Sequence, residues 1–114
     1  MSPSIYSIVY FSSRLQEELL AWPPKLQARY LRLVDRIEWF GPNLGMPHTR
    51  AIGGGLFELR VMAQEGIGRV FFCATAGQRV VMLHQFVKKS QKTPTRELEI
   101  AHRRMQEWID AHAR

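Results

Sequence analysis

The stretch Leu56-Phe57-Glu58-Leu59-Arg60-Val61-Met62 alternates side chains between two faces, the period of a β-strand. Phe57, Leu59 and Val61 fall on one face and are expected to meet the helices. Leu56, Glu58, Arg60 and Met62 share the other, expected to be the open side of the sheet. Two further runs follow closely: Ile67 to Thr75, after a turn at Gln64-Glu65-Gly66, and Arg79 to Val87, after a tight Ala76-Gly77-Gln78 turn. Connections this short predict an antiparallel meander of three strands.

The flanking sequence supplies helices. Ile5 to Phe11 is β-branched and aromatic and reads as a short strand. Ser12-Ser13 offers a cap for a short helix carrying Leu15, Leu19 and Leu20, which stops at Trp22-Pro23-Pro24. From Pro24, the 3–4 spacing of Leu26, Tyr30, Leu31, Val34 and Ile37 predicts an amphipathic helix of about 16 residues, closed by Gly41-Pro42. Residues 41–55, rich in glycine and proline, read as a loop. After a basic loop, Lys88 to Thr93, Thr93 can cap and Pro94 can start a last helix over 95–112, with Leu98, Ala101, Met105, Trp108 and Ile109 as its apolar stripe. The expected order is β-α-α-β-β-β-α. Residues 1–114 form one domain of the α+β class, with helices packed on one face of an antiparallel sheet.

Composition narrows the functional classes. With 16 Lys and Arg against 10 Asp and Glu the chain carries +6, which suggests an anionic partner. Between Lys88 and Arg104 stand six basic residues, Lys88, Lys89, Lys92, Arg96, Arg103 and Arg104, against Glu97 and Glu99. Cys73 is the one cysteine, so no intramolecular disulfide forms; it sits in an apolar run and reads as a small core residue. No stretch reaches the roughly 20 apolar residues of a membrane span, and no charged and apolar leader opens the chain. A cytoplasmic location is the expectation.

Several residues can carry chemistry. Arg69 can sit across from Arg60 in the hairpin, where two like charges suggest either a bound phosphate or neutralisation by Glu58. Lys88, Lys89 and Lys92 lie between a strand and a helix N-terminus, an arrangement that favours anions. His84 and His48 are possible acid–base groups. No Cys, His, Asp or Glu cluster has metal-ligand spacing, and Gly53-Gly54-Gly55 precedes a strand, the wrong context for a nucleotide-binding loop.

Taken in order, Gly55-Leu56-Phe57-Glu58-Leu59-Arg60, Arg69-Val70-Phe71-Phe72, Leu83-His84-Gln85-Phe86-Val87-Lys88-Lys89-Ser90-Gln91-Lys92-Thr93-Pro94, and Glu97 with Ala101 and Arg104 form a pattern. It resembles the phage-derived, HigB-like branch of the RelE toxin superfamily over roughly residues 40–105, and Leu44 to Arg50 resembles the segment those proteins carry before the Glu-Leu-Arg strand. The resemblance implies a toxin of a type II toxin–antitoxin system that cleaves mRNA, on the ribosome, without metal or cofactor. In such enzymes the RNA 2′-OH attacks the neighbouring phosphate. By resemblance, Arg60 and Arg69 would clamp the phosphate, Lys88, Lys89 and Lys92 would hold RNA or stabilise the transition state, and Glu58 would orient Arg60 or act as base. Arg50, His84 and Arg96 would join Lys92 in RNA binding. The implied partners are mRNA and a cognate helix-turn-helix antitoxin, in a hetero-oligomer.

The chain departs from the pattern in three ways. Gln85 replaces an expected glycine, Phe72 replaces a frequent tyrosine, and no tyrosine follows Tyr30. The alternative is therefore a catalytically weak or inactive toxin-fold module that partners a DNA-binding regulator.

Overall fold

In the computed structural model, which describes residues 5–88 and 92–113, the hairpin runs form β3 (Leu56–Ala63), β4 (Gly66–Thr75) and β5 (Arg79–Lys88). They are preceded by β1 (Ser7–Tyr10), α1 (Ser13–Leu20), α2 (Pro24–Phe40) and β2 (Thr49–Gly53), and followed by α3 (Thr95–His112). Among the described residues the strands form one sheet in the order β1-β5-β4-β3-β2. The molecule is of the α+β class, as expected, in an arrangement consistent with a RelE-like fold.

Local chemistry explains the helix ends. Ser12 accepts from the Leu15 amide at 3.1 Å and caps α1. The N-cap of α2 is Pro23, which has no capping side chain. Glu65, from the β3–β4 turn, takes over: its carboxylate accepts from the amides of Leu26 at 2.9 Å and Lys25 at 3.3 Å. A carboxylate at a helix N-terminus also complements the helix dipole. The hairpin is thereby fastened to the helix it packs on.

Three expectations are corrected. The segment read wholly as loop contains β2, which pairs antiparallel with β3 and bulges between Ala51 and Gly53. Thr49 secures its start: it is buried, and its hydroxyl accepts from the Gly45 amide at 2.8 Å. The N-terminal strand pairs parallel with β5, so the sheet is mixed. The helices lie on both faces, not one. Leu59, Val61, Val70, Phe72, Val80 and Met82 meet Leu15, Leu19, Leu26, Tyr30 and Ile37 of α1 and α2. Leu56, Phe71, Cys73, Val81, Leu83 and Phe86 meet Ala101 and Met105 of α3. The reason lies in the sequence of β4 and β5, where Val70-Phe71-Phe72-Cys73 and Val80-Val81-Met82-Leu83 are apolar without interruption. Strands apolar on both faces need cover on both. Burial pushes the Cys73 thiol up to about 11, in keeping with a core residue.

One close approach is built into the first core. A Cβ placed on Gly68 would lie 2.5 Å from the Trp22 ring, and the Trp22 indole is itself held by a 2.6 Å hydrogen bond donated to Gln85. Gly68→Ala is expected to lower stability by about 1–3 kcal/mol, the usual range for forcing extra volume into a packed core. Urea denaturation followed by far-UV circular dichroism measures it.

Candidate functional site

The second face of the sheet carries its charge in registered rows. Arg50 pairs across from Glu58, Glu58 from Phe71, and Arg60 from Arg69, which in turn faces Phe86 on β5. The Arg60–Arg69 juxtaposition expected from the loop length is therefore present. This face is not open, as alternation alone suggested, because α3 covers its inner end. Glu58 is 1% exposed and Arg69 0%.

A carboxylate buried this deeply requires partners. Among the described residues its partners are Arg69 Nε at 3.5 Å, a terminal nitrogen of Arg50 at 3.3 Å, and the Thr93 hydroxyl, which donates to Oε2 at 2.9 Å. Thr93 was expected to cap α3. Its side chain turns to Glu58 instead, and Pro94 occupies the N-cap without a side-chain bond. Burial pushes the Arg69 guanidinium below the ordinary arginine value. Glu58 draws it back up, while Arg60 and Arg50 push the same way as burial.

Above this buried layer lies an open cleft of about 450 Å³ lined by Arg50, Glu58, Arg60, Lys92, Thr93 and Leu98. With Arg69 beneath, four cations share the site with one carboxylate, a balance of charge that favours an anion. Arginine forks match phosphate oxygens two at a time. The side chains come from β2, β3, the segment leading into α3 and α3 itself, brought together by sheet register and by the packing of α3 on the sheet.

A bulge in β5 arranges the adjoining wall. Phe71 pairs with His84 and Phe72 with Met82, leaving Leu83 as the extra residue. An extra residue reverses the alternation beyond it. Leu83, His84 and Phe86 consequently all serve the α3 side, and Gln85 turns to the other, where it accepts from Trp22 and donates to Glu18 at 3.2 Å. His84 stacks with Phe71 and Phe86, and its Nε2 meets Glu97 Oε1 at 2.6 Å. Arg104 donates to the bulge carbonyl of Leu83 at 2.8 Å. Glu97, Ala101 and Arg104, noted together in the sequence, all fasten α3 to the sheet.

Of the candidate site residues, Arg50, Glu58, Arg60 and Lys92 meet in the cleft and Arg69 lies directly under it. Lys88 is exposed at the end of β5, in the row with Ile67 and Met62, and Arg96 is exposed on the first turn of α3; neither lines the cleft. His84 is engaged with Glu97 in the wall. Lys89 lies outside the described residues. Sequence reasoning missed Thr93 as a ligand of Glu58 and Leu98 as the apolar lip. The Phe72 departure lies in the core with α1 and α2, on the face away from the cleft, so a hydroxyl there would not reach it.

Comparison with known families gives a match. The sequence profile described as phage-derived protein Gp49-like (DUF891) covers residues 17–106, most of the chain, including every residue that lines the cleft. Families of this description are commonly toxins of toxin–antitoxin systems. No curated protein matches the chain.

The buried pair gives a direct stability test. Glu58→Ala takes from the buried Arg69 the carboxylate that stands 3.5 Å from its Nε, and the expected loss is about 3–5 kcal/mol. Glu58→Leu combined with Arg69→Met is expected to recover most of it, because an apolar pair of similar volume replaces the ions. Urea melts of the two variants against the wild type provide the check.

Proposed function

Because the chain belongs to the Gp49-like family of phage-derived proteins, we propose that it is the toxin of a type II toxin–antitoxin pair of the RelE/HigB kind. In this reading it is a cytoplasmic, metal-independent endonuclease that cuts mRNA on the ribosome and so stops translation. The observation that carries the reading is the convergence of Arg50, Arg60 and Lys92 on one cleft over the buried Glu58–Arg69 pair.

The chemistry follows from the charge. The RNA 2′-oxygen attacks the adjacent phosphorus and loses its proton to solvent. The bond from phosphorus to the 5′-oxygen breaks, and that oxygen gains a proton. The fragments end in a 2′,3′-cyclic phosphate and a 5′-hydroxyl. Negative charge accumulates on the phosphate oxygens in the transition state, where preorganised cations stabilise it most. Arg60 and Arg50 hold the phosphate. Lys92, the remaining cation of the cleft lining, protonates the leaving oxygen in place of the tyrosine this chain lacks. Glu58 is already bonded to Thr93, Arg50 and Arg69, so it serves as a positioning residue. Arg69, wholly buried, acts through Glu58 and the charge it adds beneath the cleft. The remaining cations of the Lys88–Arg96 region, Lys88, Lys89 and Arg96, hold the flanking RNA. A cognate acidic antitoxin with a helix-turn-helix domain would silence the toxin by covering this basic surface.

A second reading, a toxin-fold module without cleavage activity, is favoured by the absence of any tyrosine after Tyr30. Brief induced expression separates the two. The wild-type chain is expected to arrest growth and to produce new 5′ ends in cellular mRNA by primer extension. Arg60→Ala is expected to cut cleavage by about 100-fold or more, the scale of losing one transition-state donor. A soluble wild-type protein that yields no new ends and leaves growth unaffected would establish the binding module instead.

A further inference from the structure

On the opposite face of the sheet lies a second basic groove, of about 270 Å³, lined by Arg29, Arg32, Leu33, Arg36 and His48. We propose that this groove is a second phosphate-binding track, which carries single-stranded RNA leaving the cleft round the β2 edge of the sheet. The proposal rests on the RNA reading above.

Four observations support it. The two basic sites are joined at the sheet edge, because His48 and Arg50 flank the buried Thr49. His48 stands in the turn that enters β2 and Arg50 on β2 itself, so only the start of this edge strand separates the two sites along the chain. Along α2, Arg29 to Arg36 covers about 10.5 Å, close to the rise of three stacked nucleotides. None of the three arginines is held in an ion pair among the described residues, although Asp35 and Glu38 stand on the same helix. Finally, the groove's single apolar residue, Leu33, is itself buried. A protein-docking site is built round an apolar or aromatic centre; this groove offers guanidinium groups and an imidazole, the chemistry of a phosphate backbone.

The test is binding of 2′-O-methyl RNA, which cannot be cleaved through its 2′-oxygen, in two lengths of about 4 and about 15 nucleotides. The triple variant Arg29→Gln, Arg32→Gln, Arg36→Gln changes only exposed positions of α2 to a good helix former, so the fold is retained. For the longer RNA, affinity is expected to fall about tenfold or more, and the slope of log K against log salt to fall by about 2, as three phosphate contacts are lost. The shorter RNA, which fills the cleft alone, is expected to bind unchanged. Unchanged binding of the longer RNA overturns the proposal, as does an equal loss at both lengths. If Arg60→Ala weakens binding while the α2 variant does not, the second track fails and the cleft reading stands. If the wild type binds neither length, both fail. Binding of poly-glutamate that depends on the three arginines, without RNA binding there, assigns the groove to an acidic protein and also overturns it.

Discussion

Glu58 sits at 1% exposure within reach of Arg50 and Arg69, while Arg60 faces Arg69 directly across the β3–β4 ladder. Like charges opposed across a ladder repel, and a buried guanidinium without a counter-charge is unfavourable. The carboxylate is what makes the row tolerable. Its hydroxyl donor, Thr93, belongs to the segment that enters α3, so one buried oxygen pair ties β2, β3, β4 and that segment together. The cleft above inherits its shape from this cluster. Glu58 offsets part of the charge and leaves an excess of cations facing outward, where an anion can complete the balance.

The β5 bulge is the second device on which the site depends. Without the extra Leu83, strict alternation would send His84 toward α1 and α2 and bring Gln85 to the α3 side. With it, His84 and Phe86 pack beside Phe71 and receive α3 through Glu97, while Gln85 braces Trp22. The Arg69 guanidinium lies over the Phe86 ring at 5.6 Å, so the aromatic wall also supports the buried cation.

Much of this was legible in the sequence, for reasons that are local. The period-2 run 56–62, the short turns after it and the 3–4 spacing from Leu26 to Ile37 report strand, hairpin and helix directly. The Arg60–Arg69 pairing followed from loop length. Other features depend on contacts between distant parts of the chain. Two-face burial of β4 has a mark in its unbroken apolar run, but such a run alone does not say which helices cover each face. The parallel seat of β1 beside β5 leaves no local mark. Thr93 has the signature of a cap, and nothing in Lys92-Thr93-Pro94 announces a carboxylate 35 residues earlier. The bulge is equally silent, so nothing local announces the bond that Gln85 accepts from Trp22. The depth of Glu58 was hidden because the face it shares with Arg60 looks solvated until α3 is laid over it.

In the proposed reaction the cationic cleft of this Gp49-like protein cleaves RNA through the RNA's own 2′-oxygen. End-group analysis of mRNA cut by the purified protein on translating ribosomes tests this most directly. The account predicts a 2′,3′-cyclic phosphate on the upstream fragment and a 5′-hydroxyl on the downstream one, both absent when Arg60→Ala of unchanged fold replaces the wild type. Intact message with the wild-type protein, or fragments ending in 3′-hydroxyl and 5′-phosphate, would contradict it.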